Sequence, residues 1–378
     1  MIYLDHHATT PLCVEAKDAI RAALESELFN ASSIHRAGRH TRARIENARS
    51  TIANAAGALA KELVFTSGGT EALHLAVHCA ALTEQARRIL LDPGAHPALL
   101  AACERTAKSL GATVERLRAD RWGRIDVDAM CSSLEASEVP TLVAATWVQH
   151  ETGTITPLRR VIDEARARRA ATVLDAVQAL GKIPVDLGST GAVCAALSAH
   201  KIGGPTGVGA AWIRQDQRAR ALIDGGGQER GVRAGTENTL GIIAFGAAAG
   251  AIDSRLSSME SLGRERDRFE SSVRECAGFS QTVRDVERVA TAAHFLVDDV
   301  AGEEIVAALD LDGICVSSGP ACSSGRSGLS ESLLAMFGDA IRSKGALRIS
   351  LSPATSRAEL DRCAAALVVI AERMQRFR

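Results

Sequence analysis

Little in this sequence draws it toward a charged or oily partner. Its 44 Lys+Arg against 45 Asp+Glu leave a formal net charge of −1. That removes any general electrostatic attraction to nucleic acid or anionic lipid. No apolar run approaches the roughly 20 residues that span a bilayer. The opening Met1-Ile2-Tyr3-Leu4-Asp5 lacks the basic start and apolar core of a secretion signal, so the chain reads as soluble and cytoplasmic. None of the nine cysteines is spaced as C-x-x-C, and nine is an odd number for a disulfide framework. Mostly buried, reduced thiols are expected. Cys322 is the exception, because its surroundings, Ser317-Ser318-Gly319-Pro320-Ala321-Cys322-Ser323-Ser324-Gly325, are too small and polar for a core. Internal repeats, low-complexity tracts and runs of like charge are also missing.

What is present suffices for two domains, with 378 residues of which 46% are hydrophobic. Short apolar stretches at 62–66, 88–92, 142–148, 171–175, 193–197 and 207–213 alternate with helical patterns at 38–56 and others beginning near Glu71, Pro97 and Pro157. This alternation predicts an α/β fold with a mainly parallel sheet covered by helices on both faces. A long helical stretch at 239–276, with a break, follows. A smaller α+β unit comes last, with strands at 293–297 and 346–351, a helix at 303–309 and a final helix opened by a capping box, Ser356-Arg357-Ala358-Glu359. The first dozen residues are too few for a domain and should dock onto one of these units.

Ligands of such sheets sit beyond the carboxyl ends of the strands, and three motifs lie there. Thr66-Ser67-Gly68-Gly69-Thr70-Glu71 joins a strand to a helix. Converging backbone N–H groups, the helix N-terminus and the Thr70 hydroxyl suit an anion, although a tight turn explains the motif equally well. Asp175-Ala176-Val177-Gln178 puts a carboxylate at a strand end, where it needs a cationic partner or else caps a helix. Ser198-Ala199-His200-Lys201-Ile202-Gly203-Gly204-Pro205 places a lysine straight after an apolar strand. Desolvated there, the amine can form a Schiff base with an aldehyde; an ordinary loop lysine is the bland alternative. Phosphate cradle, strand-end Asp and strand-end Lys, in that order, are the parts that hold pyridoxal 5'-phosphate.

At this point the chain resembles a cysteine desulfurase of the NifS/IscS-like group, in the class-V aminotransferase family of fold-type I. The resemblance extends through Tyr3–Pro11, Asn30–Gly38, Ala95-His96-Pro97, Glu151-Thr152-Gly153-Thr154, Gly225–Gly231, Arg233–Asn238, Ser317–Ser324 and Leu347–Leu351. It implies a large cofactor-binding domain over 12–255. Residues 1–11 with 256–378 would form a small domain carrying a mobile cysteine loop at about 317–328. It further implies Lys201 as the Schiff-base lysine, Asp175 as partner of the pyridinium nitrogen and Gln178 as the residue that hydrogen-bonds the cofactor's phenolic oxygen. His96 would stack on the ring and move protons. Gly69, Thr70, Ser198 and His200 would hold the phosphate, with Thr236 supplied by the neighbouring subunit of a homodimer with shared sites. Asn30 and Arg348 would bind the substrate, L-cysteine, and Cys322 would accept its sulfur for delivery to an acceptor protein. A selenocysteine lyase or related lyase is the nearest alternative, and a non-enzymatic sulfur-delivery scaffold the more distant one.

Four positions depart from the family pattern. His150 replaces an asparagine that contacts the phenolic oxygen, and imidazole can give the same hydrogen bond. Phe29 and Val193 replace a glycine and an aspartate, and Pro320 stands before Ala321-Cys322 where serine is common.

Overall fold

The computed structural model describes residues 1–319 and 330–376. In chain order its strands are β1 (Ile2–Tyr3), β2 (Leu63–Thr66), β3 (Arg88–Leu91), β4 (Thr113–Arg116), β5 (Thr141–Thr146), β6 (Ala171–Asp175), β7 (Cys194–Ser198), β8 (Gly209–Ile213), β9 (Phe279–Gln281), β10 (Ala292–Asp298), β11 (Ile314–Cys315) and β12 (Lys344–Ser350).

A seven-stranded sheet runs β2-β8-β7-β6-β5-β3-β4, and all its strands are parallel except β8. Its inner strands are largely apolar because helices cover both faces. Leu90, Val143 and Leu174 enter one core, while Leu91, Leu142 and Val173 enter the other. The predicted strands are all present, within two residues at each end. Edge strand β4, Thr-Val-Glu-Arg, escapes the sequence reading because it is largely solvent-facing and carries no apolar run. The long stretch from residue 239 is indeed broken, into helices Thr239–Gly250, Ile252–Leu256 and Met259–Arg274.

A third core forms around the antiparallel sheet β12-β10-β9. Ile2, Leu4 and Met259 pack on it, whereas Leu12, Cys13 and Leu256 pack on the first core. The N-terminal dozen residues therefore touch both units. β1 pairs with β11, Asp5 bridges to Ser350, and Thr10 and Cys13 bond to His200 and Gly203. The final helix, Arg357–Arg376, has the predicted capping box: Ser356 N donates 2.8 Å to Glu359 Oε2, and Glu359 N donates 3.3 Å to Ser356 Oγ. No single helix among the described residues is long and apolar enough to cross a membrane.

Candidate active site

Strands β5, β6 and β7 run side by side in one direction, so the residues after them converge. A cavity of about 190 Å³ lies there. Ten of the residues expected at the site line it: Gly69, Thr70, His96, His150, Asp175, Gln178, Ser198, His200, Lys201 and Arg348. They come from six separate stretches of sequence.

One end is a ready anion cradle. Helix Gly69–Thr83 points its N-terminus at the cavity, where unpaired N–H groups and the helix dipole favour negative charge. Ser198 Oγ is buried there without a partner. A Cβ on Gly69 would come within 3.0 Å of Val177 Cγ2 and 3.3 Å of Ser198 Cβ, so a side chain would fill the space. Glu71 braces the turn, accepting from Ser67 N at 2.7 Å and Arg233 Nε at 2.9 Å. His200 Nδ1 lies 3.1 Å from Thr9 Oγ1.

Across the cavity, Lys201 Nζ donates to the carbonyls of His7 and Ala8. Asp175 is 6% exposed, and its Oδ1 accepts from Val177 N at 3.0 Å. Burial pushes its carboxyl up to about 6, although the bond from Val177 and the charge of Lys201 pull the other way. Gln178 Nε2 donates 3.0 Å to His7 O.

The imidazoles are kept neutral. His96 caps helix Pro97–Leu110, its Nδ1 accepting from Ala98 N at 3.1 Å, which leaves the ring proton on Nε2. Burial, then the charges of Lys201 and Arg348, hold it down at about 4. Its ring meets His150 edge to face at 5.0 Å. His150 is buried, both its ring nitrogens lack a hydrogen-bond partner, and burial holds its pKa well below the usual histidine value. It is thus a neutral donor or acceptor rather than a charge.

Arg348 sits in the middle of β12, 2% exposed. Its NH1 donates to His150 O at 3.2 Å, its NH2 to Asp5 Oδ1 at 2.9 Å, and its Nε is buried without a partner.

Two expected residues do not line this cavity. Asn30 is exposed and its Oδ1 accepts from Ser32 N in a tight turn. Thr236 is exposed and lines a separate recess with Thr66, Ser67 and Arg233. Cys322 lies outside the described residues, as does Pro320. Of the other departures, Val193 is buried in the second core and Phe29 is 45% exposed. Residues that sequence reasoning missed are His7, whose carbonyl joins Lys201 to Gln178, Asp5, which holds Arg348, and the buried Lys182 and Glu151. All four lie in or beside the quoted motifs, but nothing in their spacing reveals which partners the fold brings to them.

The whole chain has relatives. Residues 2–363 match the family model for class-V aminotransferases. A cysteine desulfurase of Cereibacter sphaeroides is 39% identical over 378 residues, covering 99% of this chain and 96% of the relative. Among solved structures, a NifS-like protein from Rickettsia africae superposes with a TM-score of 0.88 at 26% identity, covering 98% of this chain and 99% of that one. SspA in complex with cysteine superposes at 0.78 with 26% identity, covering 93% and 99%. A desulfurase relative matched from end to end, together with the class-V family model over residues 2–363, leaves one conclusion: the chain belongs to the class-V aminotransferase family and, within it, to the cysteine desulfurases.

Proposed function

We propose that this enzyme converts L-cysteine to L-alanine using pyridoxal 5'-phosphate and stores the sulfur as a persulfide on Cys322. The observation that carries the reading is the convergence of Lys201, Asp175 and an anion cradle with the unpartnered Ser198 Oγ on one cavity. The residues fit the cofactor: the unpartnered Ser198 Oγ and the helix N-terminus suit its phosphate, and buried Asp175 suits a pyridinium cation. Lys201 would hold the cofactor covalently, Gln178 and His150 would offer hydrogen bonds to its phenolic oxygen, and His96 would pack against its ring. When bound, the cofactor supplies an electron sink for the pair released at the substrate Cα.

Arg348 takes the substrate carboxylate with its planar fork. Lys201 Nζ and His96 Nε2 are the groups that move protons at the reacting carbon, since His96 Nδ1 is committed to Ala98. Cys322 thiolate attacks the substrate sulfur. The carbon–sulfur bond breaks with its electron pair left on carbon, which a proton then quenches to give alanine. The persulfide passes to an acceptor protein in iron–sulfur cluster assembly or thiolation.

Thr236 reaches the cofactor phosphate of the partner subunit in a homodimer, in keeping with its position outside its own chain's cavity. The third core is read as the small domain. A reducing cytoplasm suits the eight described cysteines, all free thiols.

Incubation with L-cysteine and an added thiol reductant, which releases the persulfide sulfur as sulfide, tests the reading, with sulfide and alanine assayed for wild type and Cys322→Ala. Equal release of both products by wild type, lost in the variant, is expected. Undiminished desulfuration by Cys322→Ala would remove Cys322 from the reaction, and absence of alanine would remove the reaction itself.

A further inference from the structure

One buried charge has no part in the chemistry above. Lys182 is 6% exposed, and its Nζ donates 2.7 Å to Gln178 Oε1, four residues earlier. The chain returns there through Gly181 at φ +72, where a Cβ would also come within 3.0 Å of Ile202 Cγ2. The charges that face Lys182 are Lys201 and Arg348, and the imidazoles it acts on are His6, His7 and His200. Burial, then the two cations, hold its pKa well below the usual lysine value. A lysine in such company opposes folding, and an apolar side chain of similar shape would serve packing better. Its use must lie elsewhere.

That use follows from donor and acceptor counts. Lys182 Nζ is the donor in this bond, so the Gln178 oxygen is the atom turned toward it. The amide NH2 then faces the other way, and one of its hydrogens goes to His7 O at 3.0 Å. The second hydrogen is left for a ligand in the cavity that Gln178 lines. Without Lys182 the amide could rotate and present a lone pair where a donor is needed. The same His7 carbonyl accepts from Lys201 Nζ, so a rotated Gln178 would also disturb the lysine's resting place.

We propose that Lys182 is a positioning residue for the active site, holding the Gln178 amide with its NH2 edge toward the cofactor's phenolic oxygen. This rests on the cofactor reading given above.

A double-mutant cycle on cofactor affinity tests it, with unliganded chains reconstituted and the dissociation constant read by titration. Lys182→Met removes the donor without opening a cavity, and Gln178→Leu removes the amide. Each single variant should weaken cofactor binding roughly tenfold, the range of one hydrogen bond to a charged group. The double variant should be no weaker than Gln178→Leu, because Lys182 acts through Gln178. The pH at which the loaded enzyme's visible absorbance changes should move with Lys182→Met and not move further in the double variant.

Native affinity in Lys182→Met, with Gln178→Leu impaired, would overturn the positioning role and leave the cofactor reading intact. Additive losses would also overturn it, since they would mean that Lys182 acts by charge or packing alone. Native affinity in Gln178→Leu would overturn the contact of Gln178 with the cofactor, and the proposal with it. Melting of the unliganded variants checks that each is folded, and Lys182→Leu replaces the methionine variant if that one is not.

Discussion

Asp175 shows at the scale of one residue how the site is poised. In the unfolded chain its carboxyl ionises near 3.8, and in the folded, unliganded chain near 6 because burial disfavours the charge. The native state therefore binds more protons between those values. Its stability falls as pH rises from about 4 to about 6 and stays lower above. Two units correspond to a cost on the order of 3 kcal/mol. Asp175→Asn should remove this slope and make the unliganded chain more stable at pH 7, while weakening cofactor binding. Urea unfolding at pH 5 and pH 7 checks the first part; identical pH dependence in wild type and variant would show that the carboxylate is not the source. Arg348 is the second residue with a measurable consequence. Losing the charge-assisted, two-pronged bond proposed for the substrate carboxylate should cost on the order of 2–4 kcal/mol. In Arg348→Ala that lowers kcat/KM for L-cysteine roughly 30- to 1,000-fold. An unchanged specificity constant would place the carboxylate elsewhere.

Between residue and molecule, the turns after the strands decide where side chains point. Asp92, just past β3, takes Gly94 N at 2.7 Å on one oxygen and Thr146 N at 3.0 Å on the other. This carboxylate ties the end of β5 to the turn that carries His96. Asp92→Ala leaves two buried N–H groups unpaired and should cost roughly 2–4 kcal/mol. It should also lower turnover through misplacement of His96. Denaturant melts together with the pH–rate profile check this, and a variant with native stability would show that water replaces the carboxylate.

The strands of the large sheet were readable because burial on both faces makes them continuous apolar runs, as in β5 and β7. The motifs after them were readable because Gly68-Gly69 and Gly203-Gly204 punctuate the strand ends. Elements with neither mark, such as β4 and the two-residue β1, passed unseen. Long-range partners also stayed hidden: no local pattern tells that Asp5 meets Arg348 or that His7 offers its carbonyl to Lys201. These pairings are set by how the third core docks.

For the whole molecule, the testable matter is which chain completes which site. Thr236 lies in a recess apart from its own chain's cavity, as a residue serving the neighbouring subunit would. Lys201→Ala and Thr236→Ala chains, unfolded together and refolded as mixed dimers, should then contain one complete site. That site pairs Lys201 of one chain with Thr236 of the other, and it should bind cofactor with wild-type affinity. If each chain completes its own site, the mixture will show only the two impaired affinities.

The stitching of residues 2–13 into the rest of the chain bears on when the enzyme can first exist. Asp5 bridges to Ser350 and bonds Arg348, and His7 bonds Ser350 and Thr291. Asp5 and His7 thus wait for partners made 343 residues later before they find their places. Contacts so distant in sequence form late because the loop they close is long. During synthesis the large sheet, complete by residue 213, can assemble around Lys201 and Asp175 while the wall bearing Arg348 is still unmade. On the roles proposed above, a nascent chain can therefore offer a cradle for the cofactor before it can grip a substrate, and the reactive chemistry is withheld until Arg348 has been made.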